Sequence, residues 1–163
     1  MDDLNKHRLI LEKLKEVYGD LDNLKTNNEI LHTRIFKDVS TLKINNRFKL
    51  KNTELPVLEC ELENSNYVLA TTRSLYSIYN DAKYEMKYTE FLKSDREYFF
   101  KNSDIAVGNT RVFRYFFING KDFFYEIDSL YPADIVHNTI VLSKRFQRYD
   151  EQTNSQIDQN ENE

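Results

Sequence analysis

An α+β fold is predicted by three features of this 163-residue chain. Apolar residues recur at helical spacing before residue 36, six runs of alternating polarity lie between residues 57 and 128, and helical spacing returns after Pro132. With 40% hydrophobic residues, among them 11 Phe and 11 Tyr, the chain can fill one core of ordinary size.

In the first segment Ile10, Leu14, Val17, Leu21, Leu24, Asn28, Leu31 and Ile35 follow alternating steps of four and three, the spacing of a heptad seam. Residues 1–36 are therefore expected to form a helical segment that packs on the protein's own sheet or pairs with a second copy as a coiled coil. Gly19-Asp20 favours the first reading and a monomer, because glycine weakens a helix interior by about 1 kcal/mol.

The strands follow in order. Leu58, Cys60 and Leu62 alternate with Glu59, Glu61 and Glu63 over Val57 to Glu63, so one face is apolar and the other carboxylate. Tyr67 to Thr72, Leu75 to Tyr79 and Lys83 to Thr89 come next, separated by Thr72-Arg73-Ser74 and Asn80-Asp81, residues suited to turns. Arg111 to Ile118 and Asp122 to Asp128 flank Asn119-Gly120, which predicts a type I′ hairpin. Phe113, Tyr115 and Phe117 oppose Phe116, and Phe123 and Tyr125 oppose Phe124, so this hairpin needs a cover on its second face, which the N-terminal segment could supply. Pro132, Asp134 and the stripe Ile135, Leu142, Phe146 predict a closing helix over about 132–147, although Asn138 to Val141 also suits a strand. Residues 37–149 thus read as one β-rich domain. The rest, 150–163, holds five acidic residues, no Lys or Arg and one apolar residue, Ile157, and is expected to be a disordered tail.

The run Tyr67 to Phe91, in which a strand ending Thr71-Thr72-Arg73 leads through LYSIY and a polar turn into KYEMKYTEF with Tyr88 and Glu90 near its end, resembles the central meander of bacterial pleckstrin-homology-like (PH-like) domains. With the closing helix the resemblance covers about residues 57–146. It implies a strongly bent antiparallel sheet or partly open barrel, plugged by a C-terminal helix and used for binding rather than catalysis. The glycine-rich spacing of many members and their lack of a long N-terminal helical segment are not matched here.

Composition and motifs exclude more than they select. The formal charge of −4 resides mainly in the tail, leaving a nearly neutral body that argues against nucleic acid as partner. No apolar run reaches the length of a membrane span and no secretory signal pattern opens the chain, so a cytoplasmic location is expected. His7, His32 and His137 show no metal spacing, Cys60 sits on an apolar strand face, and three glycines form no phosphate loop; hence no cofactor, no metal and no catalytic residue is expected.

Two surfaces remain. Lys43, Arg47, Lys49 and Lys51 alternate along one stretch and could hold an anionic lipid or phosphate ligand; in phosphoinositide-binding members of the PH-like family, basic residues near the first hairpin do so. The same lysines would also protect an edge strand. Glu59, Glu61 and Glu63 could meet a basic protein partner, though alternate carboxylates usually form a solvated face. Peripheral membrane contact is not favoured. The expected function is a non-enzymatic bacterial protein-interaction module, possible roles being regulation or toxin neutralisation by an immunity-type protein, with another protein as partner.

Overall fold

The computed structural model describes residues 1–39, 44, 47–51, 53–101 and 108–160. Its elements are α1 (Asp3–Tyr18), β1 (Thr33–Ile35), β2 (Pro56–Glu61), β3 (Tyr67–Thr71), β4 (Ser74–Tyr79), β5 (Ala82–Lys87), a 3₁₀ turn (Tyr88–Glu90), β6 (Phe91–Ser94), α2 (Arg96–Lys101), β7 (Thr110–Phe117), β8 (Asp122–Asp128) and α3 (Tyr131–Asn160). The fold is α+β, as expected. Its strands make two antiparallel sheets, β1-β2-β3-β4-β5 and β6-β7-β8, and among the described residues they do not close into a barrel. The 3₁₀ turn after β5 carries the chain from one sheet to the other.

α1 is capped at its start by Asp2, whose carboxylate accepts the Asn5 amide at 2.8 Å, and at its end by Gly19, at φ 76°. The heptad seam therefore stops at Tyr18. Ile10 and Leu14 bury their side chains within the protein's own core, Leu21 and Leu24 reach that core from non-helical backbone, and Ile35 lies in β1. The continuous helical segment over 1–36 is corrected. Past the glycine, the Asp20 side chain takes the Asp22 amide at 2.9 Å, a local bond that competes with further helix.

The five-stranded sheet is covered on both faces over β3 and most of β4, while β5 is largely exposed. Leu58, Cys60, Val68, Ala70, Leu75 and Met86 face the main core, where Tyr115, Phe123, Tyr125 and Ile127 of the second sheet meet Ile135, Val136 and Ile140 of α3. On the reverse face, Phe48 with half-buried Ile44 and Leu50 packs over Tyr67, Leu69, Tyr76 and Phe36. Phe48 lies 5.1 Å from the Tyr76 ring. β2 is buried from Pro56 to Cys60, Glu59 included, and of its carboxylates Glu61 remains exposed.

The turn chemistry is distributed differently from the sequence reading. Asn80 and Asp81 have φ of 47° and 69°, the two positive values of a type I′ turn, between β4 and β5. In the β7–β8 hairpin only Gly120 is positive, at 84°, and the Phe117 amide donates to Lys121 at 2.9 Å across a three-residue loop. That is a type I turn closed by a glycine bulge. The second face of this hairpin is covered by α2 and the end of β4: Tyr98 and Tyr79 each lie 5.7 Å from Phe124. α1 packs instead on α3, with Tyr18 5.1 Å from Tyr131.

α3 settles residues 138–146 as helix and runs to Asn160, through most of the stretch read as a disordered tail. That stretch lacks Pro and Gly, and lengthening an anchored helix requires no new nucleus.

Candidate functional site

Among its described residues the basic stretch forms no strand and no free cationic face. Lys43 lies outside the described residues. Arg47 donates to Glu61 at 2.7 Å and to the Ser65 carbonyl at 3.0 Å, Lys51 donates to Glu85 at 3.0 Å, and Lys49 is exposed. The strand carboxylates also part company. Glu59 is buried with Arg34 3.6 Å away, Glu61 holds Arg47, and Glu63 is exposed in the β2–β3 turn, 3.7 Å from His32 Nε2. Among the described members of the seven residues singled out from sequence, Arg47 and Glu61 are brought together.

Two hubs gather many of the buried polar residues, while Asn66, Ser77 and Thr139 bond elsewhere. Near the β3–β4 turn, Asp3 accepts from Thr72 and Thr53 at 2.6 Å each and bidentately from Arg73 at 2.9 and 2.7 Å. Burial works to raise its pKa, but these donors outweigh burial and hold it at about 2. Beside it, buried Glu54 accepts the Lys51 amide at 2.8 Å, the Thr71 hydroxyl at 2.7 Å and the Tyr76 phenol. A cleft of about 610 Å³ lies alongside, but Lys6, Lys51, Arg73 and Lys87 interleave there with Glu54, Glu85 and Glu90, so it favours neither charge.

At the start of α3, buried Asp128 accepts from the Asn28 side chain and the His32 amide at 2.9 Å each and from Thr33 at 2.7 Å, with Cys60 Sγ at 3.8 Å. Burial, then the charge of Asp128, pushes the Cys60 thiol up to about 12, far from a nucleophile's range. His7 is buried, and its Nε2 donates to the Pro56 carbonyl at 3.0 Å. Among the described residues no three His, Cys, Asp or Glu side chains converge on a metal position.

A different surface has the form of a binding site. β6, α2 and the first two turns of α3 enclose an open cleft of about 880 Å³. Its floor is Phe91, Phe113 and Tyr115, its walls include Tyr18, Phe99 and Phe100, and its polar groups are Lys93, Arg96, Asp134, His137 and Asn138. Each part is set by local structure. Asp95 caps α2, taking the Tyr98 amide at 3.0 Å, so the helix turns Phe99 onto Phe113, 5.7 Å away and near-parallel. Phe113 in turn stacks on Tyr125 at 5.1 Å, which ties the floor to the core. On α3, His137 presents its ring edge-on to Phe91 at 6.4 Å, and Asn138 donates to the Tyr18 phenol.

The cleft's titratable groups are mild. Packing raises Asp134, opposed by His137 and Arg111, and lowers His137, opposed by Asp134. The Tyr115 phenol shares a 2.7 Å hydrogen bond with Tyr125, and burial raises both far above a phenol's usual value. What the arrangement can do is grip: it offers aromatic surface for an apolar side chain and polar groups to orient it. The sequence reading passed over these residues. The available signal was Tyr98-Phe99-Phe100, three aromatics on a helix of six residues, more apolar surface than so short a helix buries.

Comparison with protein-family models, with curated proteins and with solved structures finds no match to this chain.

Proposed function

We propose that this chain is a non-enzymatic bacterial protein-interaction module on a PH-like scaffold, working in the cytoplasm as an immunity-type or regulatory binding protein, and that the cleft between β6, α2 and α3 is its docking site. Two antiparallel sheets followed by a long C-terminal helix support the scaffold reading. Among the described residues no helix is long and apolar enough to cross a membrane.

The observation that carries the docking site is exposure beside the aromatic floor. Phe100, which lines the cleft, is 63% exposed. Each square ångström of apolar surface left in water forgoes about 25 cal/mol, and a large exposed aromatic continuous with an apolar cleft is the mark of an interaction surface. The earlier candidate, the basic stretch, is disfavoured because Arg47 and Lys51 already hold carboxylates of their own chain.

Affinity capture from the native host with the wild-type protein and with Phe100→Asp tests the reading. Wild type should retain a protein that the variant loses, while both melt at the same temperature. Equal capture by the two would remove the cleft as the docking site.

A further inference from the structure

The charges around the cleft are one-sided, although the chain as a whole is acidic at −4. Of the acids nearest on the chain, Asp95 and Asp122 take Arg114 at 3.1 Å each, Glu97 takes Lys101 at 3.0 Å, and Glu90 accepts the Lys87 amide at 3.1 Å. Lys93 and Arg96 line the cleft, are exposed and have no ion-pair partner among the described residues; Lys93 stands on the edge strand β6 with its ammonium 5.9 Å over the Phe116 ring, from where its exposed side chain can swing to the cleft. A third cation, Arg111, lies 4.5 Å over the Phe99 ring at the same wall. Asp134 is the one carboxylate among the described lining residues. An aromatic floor with surplus cations on its rim is complementary to an anion that carries an apolar body.

β6 is a poor template for an added strand. It has four residues, a register shift between Phe91 and Lys93, and a lysine in its middle, and its Phe91 carbonyl accepts from Lys144 of α3 at 3.2 Å. Recognition therefore falls to side chains. Resting on the interaction-module reading above, we infer that the cleft takes an acidic segment of a partner protein, with one aromatic or large aliphatic side chain seated on Phe113 and Phe99 and flanking carboxylates held by Lys93 and Arg96. The seated side chain supplies apolar burial, and the carboxylates supply orientation and a salt-dependent rate of encounter.

The test uses two synthetic peptides with blocked ends, Asp-Glu-Phe-Glu-Asp and Lys-Lys-Phe-Lys-Lys, titrated into the ¹⁵N-labelled full chain at low salt. The acidic peptide should bind at least about tenfold more tightly and move the amides of β6, α2 and the start of α3. Lys93→Glu with Arg96→Glu, two exposed positions, should abolish that preference without changing the melting temperature. Equal affinities, shifts mapped elsewhere, or no binding by either peptide at millimolar concentration would overturn the inference. If a natural partner is lost by Phe100→Asp but kept by the charge-reversed protein, the acidic-segment inference fails while the cleft remains the docking site. Loss by neither variant removes both.

Discussion

Replacing Asp3 by Asn should remove the main polar tie between α1 and the β3–β4 turn. The carboxylate is 2% exposed and receives four donor contacts, two of them from Arg73. Its pKa, lowered from 3.8 to about 2, corresponds to roughly 2.5 kcal/mol at about 1.4 kcal/mol per unit. Arg73 is 44% exposed, and solvent screening of its charge reduces that to about 1–2 kcal/mol. The sign follows from the depressed value: this stability is fully present above pH 3.8 and is lost as the pH falls towards about 2. Urea unfolding at pH 7 and at intervals from pH 5 to pH 2 measures it. Asp3→Asn should be less stable than wild type by about 1–3 kcal/mol at pH 7, since an amide cannot accept from all four donors, and the two proteins should converge at the acid end. Equal stability at pH 7, or a gap that persists unchanged at pH 2, would refute the reasoning.

Three further outcomes are expected. Burial lowers His7 from 6.5, against the raising effect of the Pro56 and Phe36 carbonyls, so its contribution is present above pH 6.5 and lost below it; thermal melts of His7→Gln between pH 7 and 5 should be flatter than wild type, and an identical slope would count against this. Gly120→Val forces a β-branched residue to φ 84° and should destabilise by more than about 1 kcal/mol in chemical unfolding, while Leu24→Ala, 5% exposed, should lose about 2–5 kcal/mol with no dependence on protein concentration. A concentration-dependent melt would revive the coiled-coil reading. Cys60 should resist thiol reagents at pH 8 until denaturant is added, because its thiol is pushed up to about 12 by burial; prompt labelling of the folded protein would show that the strand opens.

Period-two patterning located the long strands well: β8 spans Asp122–Asp128 as read from sequence, and Met86 and Tyr88 turn inward together. β1 was invisible because three residues are too few to show a period, and β6 with α2 because Phe91 to Lys101 mixes strand and helix within one short run. The heptad spacing beyond Gly19 misled for a physical reason: Leu21, Leu24 and Ile35 are all buried, but by loop and strand backbone converging on one core, and burial alone mimics helical spacing. The Asn-Gly signal located the hairpin correctly, but the pairing of Phe116 with Asp122 leaves room for a longer loop than type I′ requires. Beyond the aromatic run Tyr98-Phe99-Phe100 the cleft left no mark in the sequence, since it arises where Tyr18 and residues 91–100, 113–115 and 133–138 meet. Spacing within any one of them carries no trace of the others.

The Asp128 hub has a consequence for the order of assembly. Its carboxylate gathers Asn28, His32 and Thr33, partners 95 to 100 positions earlier in the chain. Two neighbouring bonds repeat the pattern: Asn27 to Ser129 at 3.4 Å and Tyr131 to the Lys25 carbonyl at 3.1 Å. During synthesis the segment after α1 therefore emerges with its anchor still unmade, and it must wait until β8 has been translated before its polar groups find their places. Contacts of such separation slow the search for the native state, because loop closure precedes any reward from the bonds themselves. Residues 25–32 are thus made early and secured late.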